Sequence, residues 1–408
     1  PYWLVVTDYR NQKTAEKGTK MKNYYILKTY CERIYLIGSG NFWYKEKEIG
    51  DDRRLFYRAY TTLLFFIYGF MTVLEIMAAV SGDFPEDEKR DSVSFAVSHT
   101  IVMLKIFLVI ANKSLIKTLN HKMVTVCESY EGSALMAEKY NIMKINVVAY
   151  VSIVYGSVLC FVFEGLRKVF TGSHFVTIVT YYPVFEDDSI LATTIRVGTT
   201  LVLCVMMVTM IVTVDSFTMI YLIMYKYKFI TLKQYFENLR EEFFRLNDAG
   251  HCDMATEKLA NGLVEGIEMH KSLLGLSKDI DKAFGTVMAL QVCQSSGSAV
   301  SLLLQIALSD LTPVASMKIV FFVVALFFLL GLFLCNAGEI TYQASQVSEA
   351  IFYCGWQSCP PRAKADSRNI RQLVLLAIMQ SQRPLVMKAF KMLELSYETF
   401  ILVRFFAY

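Results

Sequence analysis

Seven stretches of this chain stay apolar over close to the ~20 residues that an α-helix needs to cross a bilayer. They cover 55–80, 92–111, 145–163, 195–225, 284–309, 317–337 and 393–408. The sixth, with IVFFVVALFFLLGLFLC, is the strongest. The fourth is too long for the hydrocarbon core alone and is expected to continue into water as a helix. Composition agrees: 54% of the 408 residues are hydrophobic and 19% charged, against about 45–50% and 25% in soluble domains. The expected fold class is an all-α polytopic membrane protein.

Lys and Arg give the orientation, because cytoplasmic connections carry their excess. The segment before Leu55 is rich in them, from Arg10 to Arg54. So are the connections holding Lys113 to Lys144, Lys226 to Lys282 and Arg362 to Arg383. The alternate connections are poor in bases and include the acidic GDFPEDEKRD at 82–91 and FEDD at 185–188. The N-terminus is therefore expected inside, and seven spans put the C-terminus outside. A G-protein-coupled receptor has the opposite orientation. The sequon Asn112-Lys113-Ser114 falls at the cytoplasmic end of the second span, where no glycan is expected.

The long connection at 226–283 is patterned, not random. Leu232, Tyr235, Phe236, Leu239 and Phe243 recur at helical spacing, as do Leu259, Leu263, Ile267, His270, Leu274 and Ile280. Two amphipathic helices are expected, continuing spans four and five below the membrane and broken at Asp248-Ala249-Gly250. Each apolar stripe must be buried against the other, against 339–392, or against a neighbouring subunit. The division that follows is 1–54, a cytoplasmic segment; 55–225, spans one to four; 226–283, the helical connection; 284–337, spans five and six; 338–392, the cytoplasmic anchor part of helix seven and a loop; and 393–408, the rest of helix seven.

Catalysis, cofactors and metals find no support. The nine cysteines form no CxxC or zinc-spaced cluster and read as packed thiols. The five histidines, at 99, 121, 174, 251 and 270, lie outside metal spacing of one another. P-loop, GxSxG and HExxH patterns are missing. A net charge of +4 gives no argument for nucleic acid. The small-residue run QSSGSAV, with Gly297, reads as a close helix contact. The chain begins at Pro1, so no leader is assigned.

From Leu334 the chain reads LCNAGEITYQASQVSEAIFYCGWQSCPPRAKADSRNIRQLVLLAIMQSQRPLVMKAFKMLELSYETFILV. It resembles the C-terminal pattern of the insect odorant receptor family. The matching positions are Cys335 and Gly338, Ser348-Glu349, Ala350-Ile351, and Tyr353 with Trp356. Gln382, Pro384-Leu385, Leu395-Ser396 and Glu398-Thr399-Phe400 follow. Arg383 occupies the position between Gln382 and Pro384 where family members vary.

The resemblance implies a subunit of a tetrameric, ligand-gated, non-selective cation channel in the plasma membrane of a sensory neuron dendrite. A tuning subunit assembles with the family's co-receptor and binds a small volatile ligand in the outer half of its helix bundle. The co-receptor carries a longer, polar insertion between spans four and five. The compact connection here therefore implies a tuning subunit.

On that topology the pocket should be apolar with a few polar groups. The second span offers Phe95, Ser98, His99 and Val102, and the third Gly156, Ser157, Cys160 and Phe161. The fourth offers Thr199, Val202, Leu203 and Met206, and the sixth Phe321, Phe322 and Ala325. His99 can donate to a ligand oxygen or cap a neighbouring carbonyl. The resemblance makes the last helix pore-lining, through Phe400, Val403, Arg404 and Ala407, with the tightest constriction expected beyond Tyr408. It makes Tyr353, Trp356, Gln382 and Pro384 part of the subunit anchor. Glu398 reads as an early-turn acid favoured by the helix dipole. Arg404, about 9 Å further along, faces a water-filled pore or a neighbouring subunit, pairs within the subunit, or snorkels towards an interface. Pro360-Pro361 is expected to end the helix that carries Tyr353 and Trp356.

Three alternatives are weaker. A G-protein-coupled receptor would need an Asp/Glu-Arg-Tyr end on span three and Asn-Pro-x-x-Tyr on span seven. A secondary transporter predicts internal repeats. A gustatory-type channel of the same superfamily carries Thr-Tyr and Gln-Phe where this chain has Tyr397-Glu398-Thr399-Phe400.

Overall fold

The computed structural model describes residues 23–81, 86–170, 190–308, 313–359, 366–390 and 393–406. Its helices are α1 (Asn23–Leu36), α2 (Leu55–Ser81), α3 (Glu86–Ala111), α4 (Lys113–Thr125) and α5 (Ser133–Phe170). They continue with α6 (Ile190–Asp248), α7 (Cys252–Leu308), α8 (Pro313–Phe352), α9 (Asp366–Ser381) and α10 (Tyr397–Phe406). Two short strands, β1 (Lys388–Ala389) and β2 (Leu393–Glu394), pair antiparallel before α10. Among the described residues, α2, α5, α6 and α8 are each long and apolar enough to cross a membrane. A fifth crossing forms if α3 and α4 are one span bent by 71° at Asn112.

The amphipathic connection folds as its periodicity requires. Spans four and five run on without a break as α6 and α7, so residues 225 and 283 lie inside helices, not at boundaries. Gly250 turns the chain between them at φ +85°. The His251 N–H reaches back to Leu246 O and the Gly250 N–H to Asn247 O, both at 3.0 Å, which closes the helix end with glycine in the left-handed position.

The two stripes bury each other. Leu232, Phe236, Leu239 and Phe243 of α6 and Leu259, Leu263, His270 and Ile280 of α7 are buried, with Tyr235 and Ile267 partly so. Lower on α7 the inward positions are Leu273 and Leu276, with Leu274 half-buried. Gly262 and Gly266 permit the close approach. A Cβ on Gly262 would lie 2.5 Å from Leu239 Cδ1, and one on Gly266 would overlap the Phe236 ring. The glycine of QSSGSAV has no such role: a Cβ on Gly297 meets nothing within 4 Å. Gln294, Ser295, Ser298 and Ala299 of the same run are buried.

Beneath the spans, α1 is tied to the bundle by a buried ionic knot. Glu131 accepts from Lys139 Nζ and Lys228 Nζ, both at 2.7 Å, and from Asn23 Nδ2 at 2.9 Å. Burial raises the Glu131 pKa, but the two ammoniums outweigh it and hold the carboxyl below its usual value. Burial lowers Lys139 to about 8. All nine cysteines are free thiols.

Three expectations at the C-terminal end are corrected. Residues 338–352 continue α8 and do not begin the last helix. That helix stops at Phe352, ahead of Pro360-Pro361, which lies outside the described residues. The break comes at Gly355, φ +103°. The last helix starts at Tyr397 instead of Leu393, because Leu393–Glu394 is spent on strand pairing. Ser396 caps it, accepting the Thr399 N–H at 3.2 Å, and Glu398 occupies the first turn as expected. Its ring residues dock on α8. Tyr397 lies over Gly338 and donates to Glu339 Oε1 at 2.6 Å, while the Phe400 ring lies over Gly331. A side chain at Gly338 would come within 2.8 Å of the Tyr397 ring, which gives the glycine at the foot of span six a steric reason.

The hairpin ahead of α10 is held by α7. Gly285 admits the Lys388 carbonyl, and the Lys388 backbone hydrogen-bonds to Asp281. Asp281 Oδ1 is buried without a partner, and burial raises the carboxyl pKa to about 6.

Candidate functional site

One cavity of about 90 Å³ lies among α3, α5, α6, α7 and α8. Helical spacing builds each wall. On α3, Phe95, Ser98 and His99 share a face. On α6, Cys204, Met207, Val208, Ile211 and Asp215 repeat at three- and four-residue steps. Phe95, Phe161 and Phe322 come from three different helices and form an aromatic box. Their ring centroids are 5.1, 5.5 and 5.6 Å apart, within the range of favourable edge-to-face and tilted packing.

One side of the cavity is polar. Tyr150 donates to Asp215 Oδ2 at 2.9 Å. Lys105, 1% exposed, stands behind, 3.3 Å from Asp215 Oδ1 and 3.0 Å from Gln294 Oε1. It also bonds Gln291, which in turn donates to Ser295 Oγ at 3.0 Å. Four helices, α3, α5, α6 and α7, thus contribute to one buried network. A buried ion pair of this kind persists only when further hydrogen bonds satisfy its remaining valences.

His99 is held from the other side. Its Nδ1 lies 2.8 Å from Glu75 Oε2 and 2.9 Å from Oε1, and Glu75 on α2 is 1% exposed. Nδ1 is therefore the donor, since both carboxylate oxygens can only accept while ionised. Tyr68 on α2 donates to the His99 carbonyl at 3.2 Å.

Of the residues expected at a pocket, Phe95, Ser98, His99, Ser157, Phe161, Phe322 and Ala325 line this cavity together. Val102 and Leu203 are buried in packing elsewhere, and Met206 is partly buried. Gly156 and Cys160 are half-buried beside the wall without forming it. Thr199, Val202 (69% exposed) and Phe321 face outward. On α6 the expected face is therefore rotated by about one residue, or ~100° of helix. Tyr150, Asp215, Gln291 and Gln294 went unpredicted, as did Glu75 behind His99. Their signal was available: ionisable residues inside apolar spans rarely stand without partners or purpose.

The other expected sites lie apart from the cavity. Tyr353, Gln382 and Pro384 are exposed on the single chain, and Trp356 is half-buried with its N–H on Phe352 O at 2.9 Å. Phe400 packs on α8 as described. Val403 and Arg404 lie in α10, but their side chains, like the whole of Ala407, fall outside the described residues. Among the described residues no group of His, Cys, Asp or Glu is arranged to hold a metal ion.

Comparison with known proteins bears on the whole chain. The family model described as 7tm Odorant receptor matches residues 87–408. Two solved structures share the fold: the insect olfactory receptor OR5 from Machilis hrabei in complex with eugenol, and the same receptor described without it. Both superpose with a TM-score of 0.73 over 95% of this chain and 97% of theirs, at 12% and 13% identity. No curated protein matches the sequence.

Proposed function

The chain belongs to the 7tm Odorant receptor family, and from that premise we propose that it is the odorant-binding tuning subunit of a ligand-gated, non-selective cation channel. It assembles with the odorant receptor co-receptor as a heterotetramer in the dendritic plasma membrane. Seven spans cross the bilayer, N-terminus inside and C-terminus outside. A volatile enters the cavity, and its binding opens a central pore lined by α10 through Phe400, Val403, Arg404 and Ala407. Tyr353, Trp356, Gln382 and Pro384 belong to the cytoplasmic anchor between subunits.

The observation that carries this reading is the aromatic box of Phe95, Phe161 and Phe322, closed on one side by buried polar groups. Apolar walls with a few placed polar groups are what a small-molecule site requires. In the proposed orientation the box lies in the outer half of the bundle, where a volatile arrives from outside. The eugenol complex of the Machilis hrabei receptor supports a small-molecule ligand for the fold. The short α6–α7 turn favours a tuning subunit over the co-receptor.

The test is whole-cell current in cells expressing this chain alone, the co-receptor alone, both or neither, under a volatile panel with G-protein signalling blocked. A fast cation current that needs both chains and survives the block is expected. A slow response abolished by the block would sink the channel reading. Full currents from this chain alone would favour a gustatory-type channel.

A further inference from the structure

The polar groups around the cavity divide into those already committed and those left open. Ser98 Oγ is 3.4 Å from Ser298 Oγ, the Tyr150 hydroxyl donates a hydrogen bond to Asp215, and Gln294 Oε1 accepts from Lys105. Two groups remain. Ser157 Oγ is buried and has no hydrogen-bond partner, not even the carbonyl one turn back that helical serines commonly use. His99 has its Nδ1 committed to Glu75, while its Nε2 makes no hydrogen bond among the described residues. Both residues are nine-tenths or more buried and line the same cavity. An unmet buried polar group is costly, so a ligand that meets both is favoured over one that leaves either open.

We propose that Ser157 and His99 select small apolar volatiles that end in a single hydroxyl, short aliphatic alcohols. This rests on the odorant-pocket reading above. With Nδ1–H fixed on Glu75, Nε2 is an acceptor when the imidazole is neutral and a donor when it is charged. A hydroxyl meets it in either state, donating to one partner and accepting from the other. A ketone or ether oxygen only accepts and leaves a neutral His99 unmet, and a hydrocarbon leaves both groups unmet. The aromatic box holds the apolar body. A volume of about 90 Å³ is below the ~150 Å³ apolar cavity that admits benzene, which makes benzene's six heavy atoms the upper bound for a ligand.

The test compares 1-pentanol, 2-pentanone, butyl methyl ether and hexane, each of six heavy atoms, on cells expressing this chain with the co-receptor. The half-maximal concentration for pentanol should be lower than for the other three on the order of tenfold, the worth of one buried hydrogen bond. Ser157→Ala should remove most of that preference. Ser157→Thr, which keeps the hydroxyl, should retain it. Surface labelling confirms that the variants reach the membrane, and the wild-type ranking tests the idea even if they do not. Equal potency across the four compounds, or a preference that survives Ser157→Ala, overturns the hydroxyl selectivity and leaves the odorant reading standing. Silence toward these and a broad volatile panel, with both chains at the surface, overturns both.

Discussion

Lys105 Nζ lies 3.3 Å from Asp215 Oδ1, and both side chains are buried between helices separated by more than a hundred residues of sequence. The pair closes the polar side of the cavity and joins α3 to α6. Charges inside an apolar bundle are expensive alone and tolerable together. The bundle therefore depends on keeping both or removing both.

Lys105→Met should cost about 3–5 kcal/mol by leaving Asp215 buried without its cation. Lys105→Met combined with Asp215→Leu should recover most of that loss. Melting temperatures of the purified complex, with surface expression as a second readout, check both outcomes. A double variant as unstable as the single one would contradict the pairing.

Two glycines on α7 offer the same chemical change in opposite surroundings. Gly266→Ala drives a methyl into the Phe236 ring and should destabilise the α6–α7 hairpin by about 1–3 kcal/mol. Gly297→Ala meets open space and should stabilise by up to about 1 kcal/mol through helix propensity. Hydrogen exchange across 232–243 and 259–267 reads the first, and thermal melting reads the second.

Asp281 gives the docked hairpin at 388–394 a pH dependence. Its pKa is raised to about 6, from a usual value near 3.8, so the docked state prefers the protonated carboxyl. The associated stability is fully present below the usual value and is lost as pH rises through about 6. Acidifying the purified protein from pH 7.5 to 5.5 should slow amide exchange at Lys388, beyond the intrinsic effect of pH. Asp281→Asn should show slow exchange at both values. A wild-type exchange profile identical to the variant's at both pH values would rule the coupling out.

Tyr397→Phe removes the hydroxyl that donates to Glu339 while leaving the ring over Gly338. The loss should be about 1 kcal/mol in the docking of α10 on α8. Gly338→Ala, which displaces the ring itself, should have a larger effect. Channel open probability at saturating ligand is the readout. If α10 lines the pore, both variants should shift it, and the glycine variant more.

The sequence made some of this legible and hid the rest for physical reasons. The α6–α7 hairpin follows from apolar spacing at Leu232 to Phe243 and Leu259 to Ile280, because water outside the membrane makes amphipathic faces visible. Inside the bilayer that contrast fades. Around Thr199 to Met206 nearly every side chain is apolar, so periodicity could not say which face turns inward. The α3 wall was readable because Ser98 and His99 mark it. Gln291 and Gln294 were passed over in a helix read only for its small residues, although Lys105 and Asp215 each demanded a partner. The end of α8 was misplaced because Pro360-Pro361 is conspicuous, whereas Gly355 acts earlier through its left-handed backbone.

α6 runs without interruption from the cavity wall to the base of the α6–α7 hairpin. Asp215 and Phe243 are 28 residues apart on it, roughly 42 Å at 1.5 Å per residue. Phe243 bears on Gly355, the residue that terminates α8. A stiff rod of that length is a lever. A tilt of about 2° imposed at the cavity floor displaces its far end by about 1.5 Å. That is enough to disturb a side chain seated against bare backbone, so a small displacement at the cavity has mechanical reach to the Gly355 end of the molecule.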